Sequence, residues 1–318
     1  MTLFRSVCLL LFSPFIASAQ FTDVINSNRP GESFSAFSVG KTVLQTELGF
    51  TGYDQSHDLL LTESKGIQSE LFVRYGVFLE QLEIIAEIQH LYDETESLTN
   101  SNIKRGFRNF GIGAKYLVYD PNKNYVDRKP NLLSWKANQG FKWRDLIPAV
   151  GVYAGLNIPM NKELNLPNQG ASAKLMGITQ NQFGKHVLVT NFYMDGFGSN
   201  YESFGYVITL TRGLNSRWSV FLENQGVQSD HYGDLLFRGG AAFLPWENFQ
   251  IDVSGGLNVK TTPSIYNVGI GVSWRFDANY EEIYLRLPGE DKPGKEQKEK
   301  EKKKKKRKDD VDPEELTE

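Results

Sequence analysis

The fold class that the sequence predicts is all-β: a transmembrane antiparallel β-barrel of about twelve strands with periplasmic termini. Three observations predict it. Residues 265–276 alternate strictly, with Tyr266, Val268, Ile270, Val272, Trp274 and Phe276 on one face and Asn267, Gly269, Gly271, Ser273 and Arg275 on the other, because successive strand side chains point to opposite sides. A bulky apolar face backed by a small polar one suits a strand between lipid and a lumen, with aromatics at the interfaces. Segments of similar length and rhythm recur along the chain before it. Past the N-terminus, no stretch has the ~18 consecutive apolar residues of a membrane helix, which a barrel does not need because each strand is only half apolar.

Residues 1–19 read as a secretory signal, with Arg5 as the positive start, an apolar run over 7–16, and Ala17-Ser18-Ala19 as the small-residue cleavage site. The mature chain would begin at Gln20. Cys8 is the only cysteine and lies inside that signal, which leaves the mature chain without disulfides, a thiol nucleophile or a cysteine metal site. Export also removes nucleic acid as a partner.

Residues 20–40 form a polar lead-in, expected on the periplasmic side, and the first strand is expected over 41–53. In it Leu44, Thr46, Leu48 and Phe50 face one way and Val43, Gln45, Glu47 and Gly49 the other. Arg29-Pro30-Gly31-Glu32-Ser33, Val39-Gly40-Lys41 and Leu44-Gln45-Thr46-Glu47-Leu48-Gly49 together resemble the N-terminal signature of a family of outer-membrane transporters associated with the meta-pathway of phenol degradation. That family opens with an Arg-Pro-Asp turn, a spacer ending in Gly and a strand reading Gln-x-Glu-x-Gly; here Gly31 stands in place of the Asp. The resemblance implies a passive channel or transporter of the Gram-negative outer membrane, taking up small solutes, hydrophobic or aromatic ones among them.

Further strands are expected over 67–77, 82–92, 107–119, 146–158, 171–180, 186–197, 202–211, 218–228, 235–243, 249–259 and 265–276. An even count returns both ends of the barrel to the periplasm. The intervening segments 54–66, 93–106, 159–170, 198–201, 229–234 and 260–264 read as external loops, mostly longer than the turns at the other end. The exception is 120–145, with Leu132, Leu133, Trp135, Phe141 and Trp143, which reads as an amphipathic segment at the inner rim or a mobile insert. The last strand should pair with the first, closing a barrel over 41–276. Its final Phe276 resembles the closing aromatic of strands that the barrel-assembly machinery recognises. Residues 277–318 form a charged periplasmic tail: from Glu290 on it holds eleven basic and eleven acidic residues, with 302–308 unbroken basic, and it cannot bury enough apolar surface to fold alone.

Function is sought in the lumen, since polar side chains facing lipid would be costly. The less apolar strand faces supply Glu47, Glu70, Arg74, Glu83, Glu87, Lys115, Lys174, Glu223, Arg238, Asp252 and Arg275. Their mixed signs allow two readings: a plug in which the charges satisfy one another, or a pore that Glu47, Glu83 and Glu87 bias toward cations or polar solutes. Catalysis finds little support. His57 beside Ser56 and His231 near Ser229 fall in expected loops without a lipid-hydrolase motif, the four histidines lack metal-ligand spacing, and Gly111-Ile112-Gly113 lies in a strand instead of a phosphate loop. No cofactor is expected; the expected partners are outer-membrane lipid, the assembly machinery and a small solute. A structural barrel that moves nothing is the alternative.

Overall fold

The computed structural model describes residues 25–123, 143–165 and 170–277. The signal, the charged tail and most of the 120–145 segment thus lie outside the described residues. Twelve strands, β1 (Leu44–His57), β2 (Thr62–Gly76), β3 (Leu82–Ser97), β4 (Asn100–Tyr119), β5 (Ala149–Pro159), β6 (Ser172–Phe183), β7 (His186–Phe197), β8 (Ser203–Gly213), β9 (Trp218–Ser229), β10 (Gly233–Trp246), β11 (Phe249–Asn258) and β12 (Ser264–Phe276), form a closed barrel. Each pairs antiparallel with its sequence neighbours, and β1 closes on β12 with Glu47 opposite Ser273, Gly49 opposite Gly271 and Phe50 opposite Ile270. Closure leaves no sheet edge, so the ladder itself satisfies the backbone groups that cross the bilayer.

The outer surface is the apolar one. Leu222, Val268 and Ile270 are 70%, 65% and 59% exposed, an arrangement that water would penalise and hydrocarbon accepts. At the rim where β1 begins and β12 ends, here called the terminal rim, Trp218 meets Phe243 at 4.7 Å, and Trp246, Phe249, Trp274 and Phe276 follow one another at 5.7, 6.1 and 4.6 Å. These rings form the interfacial girdle of a membrane barrel. Toward the opposite rim the band ends where Asp54 of β1 faces Lys65 of β2, an exposed ion pair of 3.7 Å.

Beyond that pair the structure departs from the sequence expectation. Residues 54–66 and 93–106 are not long loops: β1 to β4 run on through them, and only 58–61 and 98–99 connect the hairpins. Above the bilayer both faces of these strands meet water, so the apolar alternation that marks a strand vanishes while the hydrogen-bond ladder continues. The greater reach of this rim is therefore built from strand and not from loop.

A second departure concerns the lead-in. Residues 25–40, expected outside the barrel, run inside it. The segment starts at the terminal rim, where Ile25 N donates to Glu247 O at 2.9 Å. It turns at Arg29–Glu32 against inner-face residues of β9, β10 and β11, and returns to the rim, where Thr42 N donates to Gly76 O at 3.0 Å. Phe34 and Ala36 are buried with Ile85, Leu117, Ala149, Tyr153, Met176 and Ile178 in a small apolar core within the lumen. Polar on average, the segment still buries these apolar side chains, and its backbone groups find inward-facing polar partners.

Candidate functional site

The polar lumen residues sort into clusters according to which part of the inserted segment 25–40, here called the plug, they hold. On the β1–β4 wall, alternation turns Gln45, Glu47, Arg74, Glu83 and Lys115 inward, and all five have no exposed surface. Arg74 reaches Glu47 at 3.0 Å with one nitrogen and Glu83 at 3.1 Å with another. Lys115, the register partner of Glu83, lies 2.8 Å from it. Two cations and two carboxylates thus balance in a dry interior, where either sign alone would be strongly penalised. Each also grips the plug or its neighbour. Lys115 Nζ donates to Ser35 O and Phe37 O, both at 2.8 Å, Glu83 accepts from Val39 N at 2.8 Å, and Asn26 O receives Arg74 at 2.8 Å and Gln45 at 3.1 Å.

The plug's turn is held by a notch. Gly49 and Gly271 are cross-strand partners, and the Arg29 guanidinium lies over both: a Cβ on Gly49 would fall 1.8 Å from Arg29 Nη1, and one on Gly271 2.2 Å from Nε. From there Arg29 reaches Asp252 at 3.2 Å and the Ile270 carbonyl at 3.3 Å. Gln250 donates to Arg29 O at 3.0 Å, and Ser27 and Ser273 share a 2.7 Å hydrogen bond.

Further contacts tie the plug to the far wall. Glu223 accepts Glu32 N at 3.0 and 3.2 Å and the Thr209 hydroxyl at 2.8 Å; Arg238 pairs with Glu223 and, at 3.4 Å, with Glu32. Asn191 makes a reciprocal pair with the backbone of Phe34, accepting its N–H at 2.6 Å and donating to its carbonyl at 2.9 Å. Beside it, Gln180 accepts the Ser35 hydroxyl at 2.9 Å and Ala36 N at 3.0 Å.

Of the residues picked from the sequence, Glu47, Arg74, Glu83, Lys115, Glu223, Arg238 and Asp252 therefore converge on the plug. Glu47 and Glu83 are fully buried in ion pairs there, as counter-ions to Arg74 and Lys115. Glu70 and Glu87 form no hydrogen bond to the plug among the described residues and are bridged by Gln89, which donates to both. Lys174 Nζ lies 5.6 Å from the Tyr193 ring centre and 6.0 Å from that of Phe34. Arg275 stands apart at the terminal rim with Asp277, 3.1 Å away. Asn191 and Gln180 escape sequence reasoning. In β7 the run Val187-Leu188-Val189 and the run Phe192-Tyr193-Met194 are apolar on both faces, so nothing in the pattern marks Asn191 as inward.

The serine–histidine neighbours are engaged elsewhere. His57 Nδ1 accepts from Leu60 N at 3.2 Å, and Ser229 Oγ donates to Tyr232 O at 3.0 Å. Among the described residues no group of three His, Cys, Asp or Glu is placed to hold a metal.

Residues 27–276 match the profile of the family described as "Putative MetA-pathway of phenol degradation". The chain belongs to this family. The matched span begins inside the plug and ends on the last residue of β12, so plug and barrel form one family unit. Among solved structures, the COG4313 outer membrane channel from Pseudomonas putida F1 is 11% identical with a TM-score of 0.50, covering 79% of this chain and 100% of that one. The translocator domain of autotransporter NalP from Neisseria meningitidis is 7% identical with a TM-score of 0.46, covering 86% and 96%. At 11% identity the likeness to the outer membrane channel concerns the fold alone. No curated protein sequence matches.

Proposed function

We propose that the protein is a channel of the Gram-negative outer membrane for passive uptake of small solutes, hydrophobic or aromatic ones among them, and that the plug restricts its lumen. The observation that carries this reading is how the plug is held. Residues 25–40 join no strand ladder; side-chain hydrogen bonds and ion pairs fasten them to an already closed barrel. A segment held in this way narrows the lumen without forming part of the wall, as the loops or helices that plug other membrane barrels do. Family membership and the fold shared with a described outer membrane channel support the same reading, and the terminal rim is then the periplasmic one.

Planar-bilayer recording tests it. The purified protein should open in small steps, and Arg29→Ala, which frees the plug's turn from Asp252, should enlarge them. A lumen that stays closed at every voltage in both proteins would reject the channel and leave the structural barrel.

A further inference from the structure

The plug does not fill its half of the lumen evenly. It is bound closely to β1–β4 and β11–β12, but along β6–β10 its fastenings are Asn191 and Gln180 to Phe34–Ala36, and Glu223 and Arg238 to Glu32. Between these and the terminal rim lies a cavity of about 320 Å³. The plug forms one side of it, and Val187, Val189, Thr209, Phe221 and Ala242 line the other. It reaches the rim beside Asn215–Arg217 and ends at the plug's turn, where Gly31 approaches Glu223.

We propose that this cavity is a binding site for an uncharged solute about the size of one substituted aromatic ring, an inference that rests on the channel reading. Volume sets the size: a dry cavity of about 150 Å³ suffices for benzene, so this one holds a ring with a substituent. Electrostatics excludes charge. The ions at its inner border are already matched, Arg29 by Asp252 and Glu223 by Arg238, and Arg217 stands exposed to water at the mouth, so a charged solute taken inside would lose its water without gaining a partner there. The wall favours a neutral ring because Val187, Val189, Phe221 and Ala242 offer only carbon. A single polar substituent is accommodated by Gln180 and Thr211. Both line the cavity, and the Gln180 amide nitrogen and the Thr211 hydroxyl donate to no other described residue. Glu223, bonded at once to Thr209, Arg238 and the plug, stands between this site and the wider lumen.

The test uses the full chain in lipid nanodiscs, with Ala242→Cys in a Cys8→Ser background, and follows labelling by methyl methanethiosulfonate. Benzyl alcohol should slow labelling several-fold and saturably, and benzoate at equal concentration should not. Adding Val189→Trp, or Thr211→Phe if the first variant loses the heat-modifiable migration of a folded barrel, should abolish the saturable protection. Protection that is absent, equal with benzoate, or unchanged by the filling variant overturns the site. Bilayer conductance separates the two readings: openings without protection sink the site and leave the channel, whereas protection without openings keeps the site and sinks the channel.

Discussion

Arg29 and the paired glycines beneath it bring the two halves of the N-terminal motif into one contact. The Arg-Pro turn supplies the guanidinium, and the Gln-x-Glu-x-Gly strand supplies its seat at Gly49 as well as Glu47 and Gln45, which hold the plug's neighbouring residues. Both halves are visible in the sequence, but their contact is not, because Asp252 and Gly271 come from strands more than two hundred residues away. Gly49→Ala should displace the guanidinium and strand Asp252 without its partner, lowering stability by about 3 kcal/mol. Asp252→Asn removes the same pair, so the double variant should lose much less than the sum of the singles, as read from unfolding midpoints in urea. Gly31 has its own reason. A Cβ there would lie 2.3 Å from Glu223 Oε2, so the aspartate that resembling sequences carry would meet a carboxylate here. Gly31→Asp should destabilise by about 1–3 kcal/mol, and Glu223→Gln should recover part of that loss; equal cost in both backgrounds would refute the like-charge account.

Among the elements, the strands inside the bilayer were the most legible, because lipid on one side and a polar lumen on the other impose a period of two on every one of them. That is why the twelve expected segments coincide with the twelve observed strands to within a few residues over the apolar band. The same logic hides the upper parts of β1–β4, where Asp93-Glu94-Thr95-Glu96-Ser97 has no apolar face to read. It hides the plug as well, since a polar segment lining a polar lumen resembles an external one. The extended hairpins therefore contribute ladder but little burial. Removing residues 94–103 and joining Asp93 to Lys104, which are register neighbours of that hairpin and keep the Tyr53–Asp93 hydrogen bond of 2.7 Å, should leave the heat-modifiable barrel intact. Loss of the folded band on electrophoresis would mean that the projecting strands help to close the barrel.

For the whole molecule, the division of labour between barrel and plug makes a separable prediction. The barrel's backbone bonds close without the plug, so its ladder does not include residues 25–40, whereas its lumen charges require either the plug or water. In the intact protein Arg74, Lys115, Glu47 and Glu83 have no exposed surface and pair with one another and with plug carbonyls and amides, Glu47 through Oε1 alone. Breaking that balance from within is expensive: Arg74→Met leaves two carboxylates facing one remaining cation in a dry site, which should lower stability by about 3–5 kcal/mol. Deleting residues 25–40 acts differently, because the space they leave admits water and rehydrates all four charges together. Stability should fall by less than in Arg74→Met, even though far more atoms are removed, and single-channel conductance should rise several-fold over the intact protein. A deletion variant that folds yet conducts no better would place the resistance at another point of the lumen; one that falls apart more readily than Arg74→Met would make the plug a structural core instead of a removable filling.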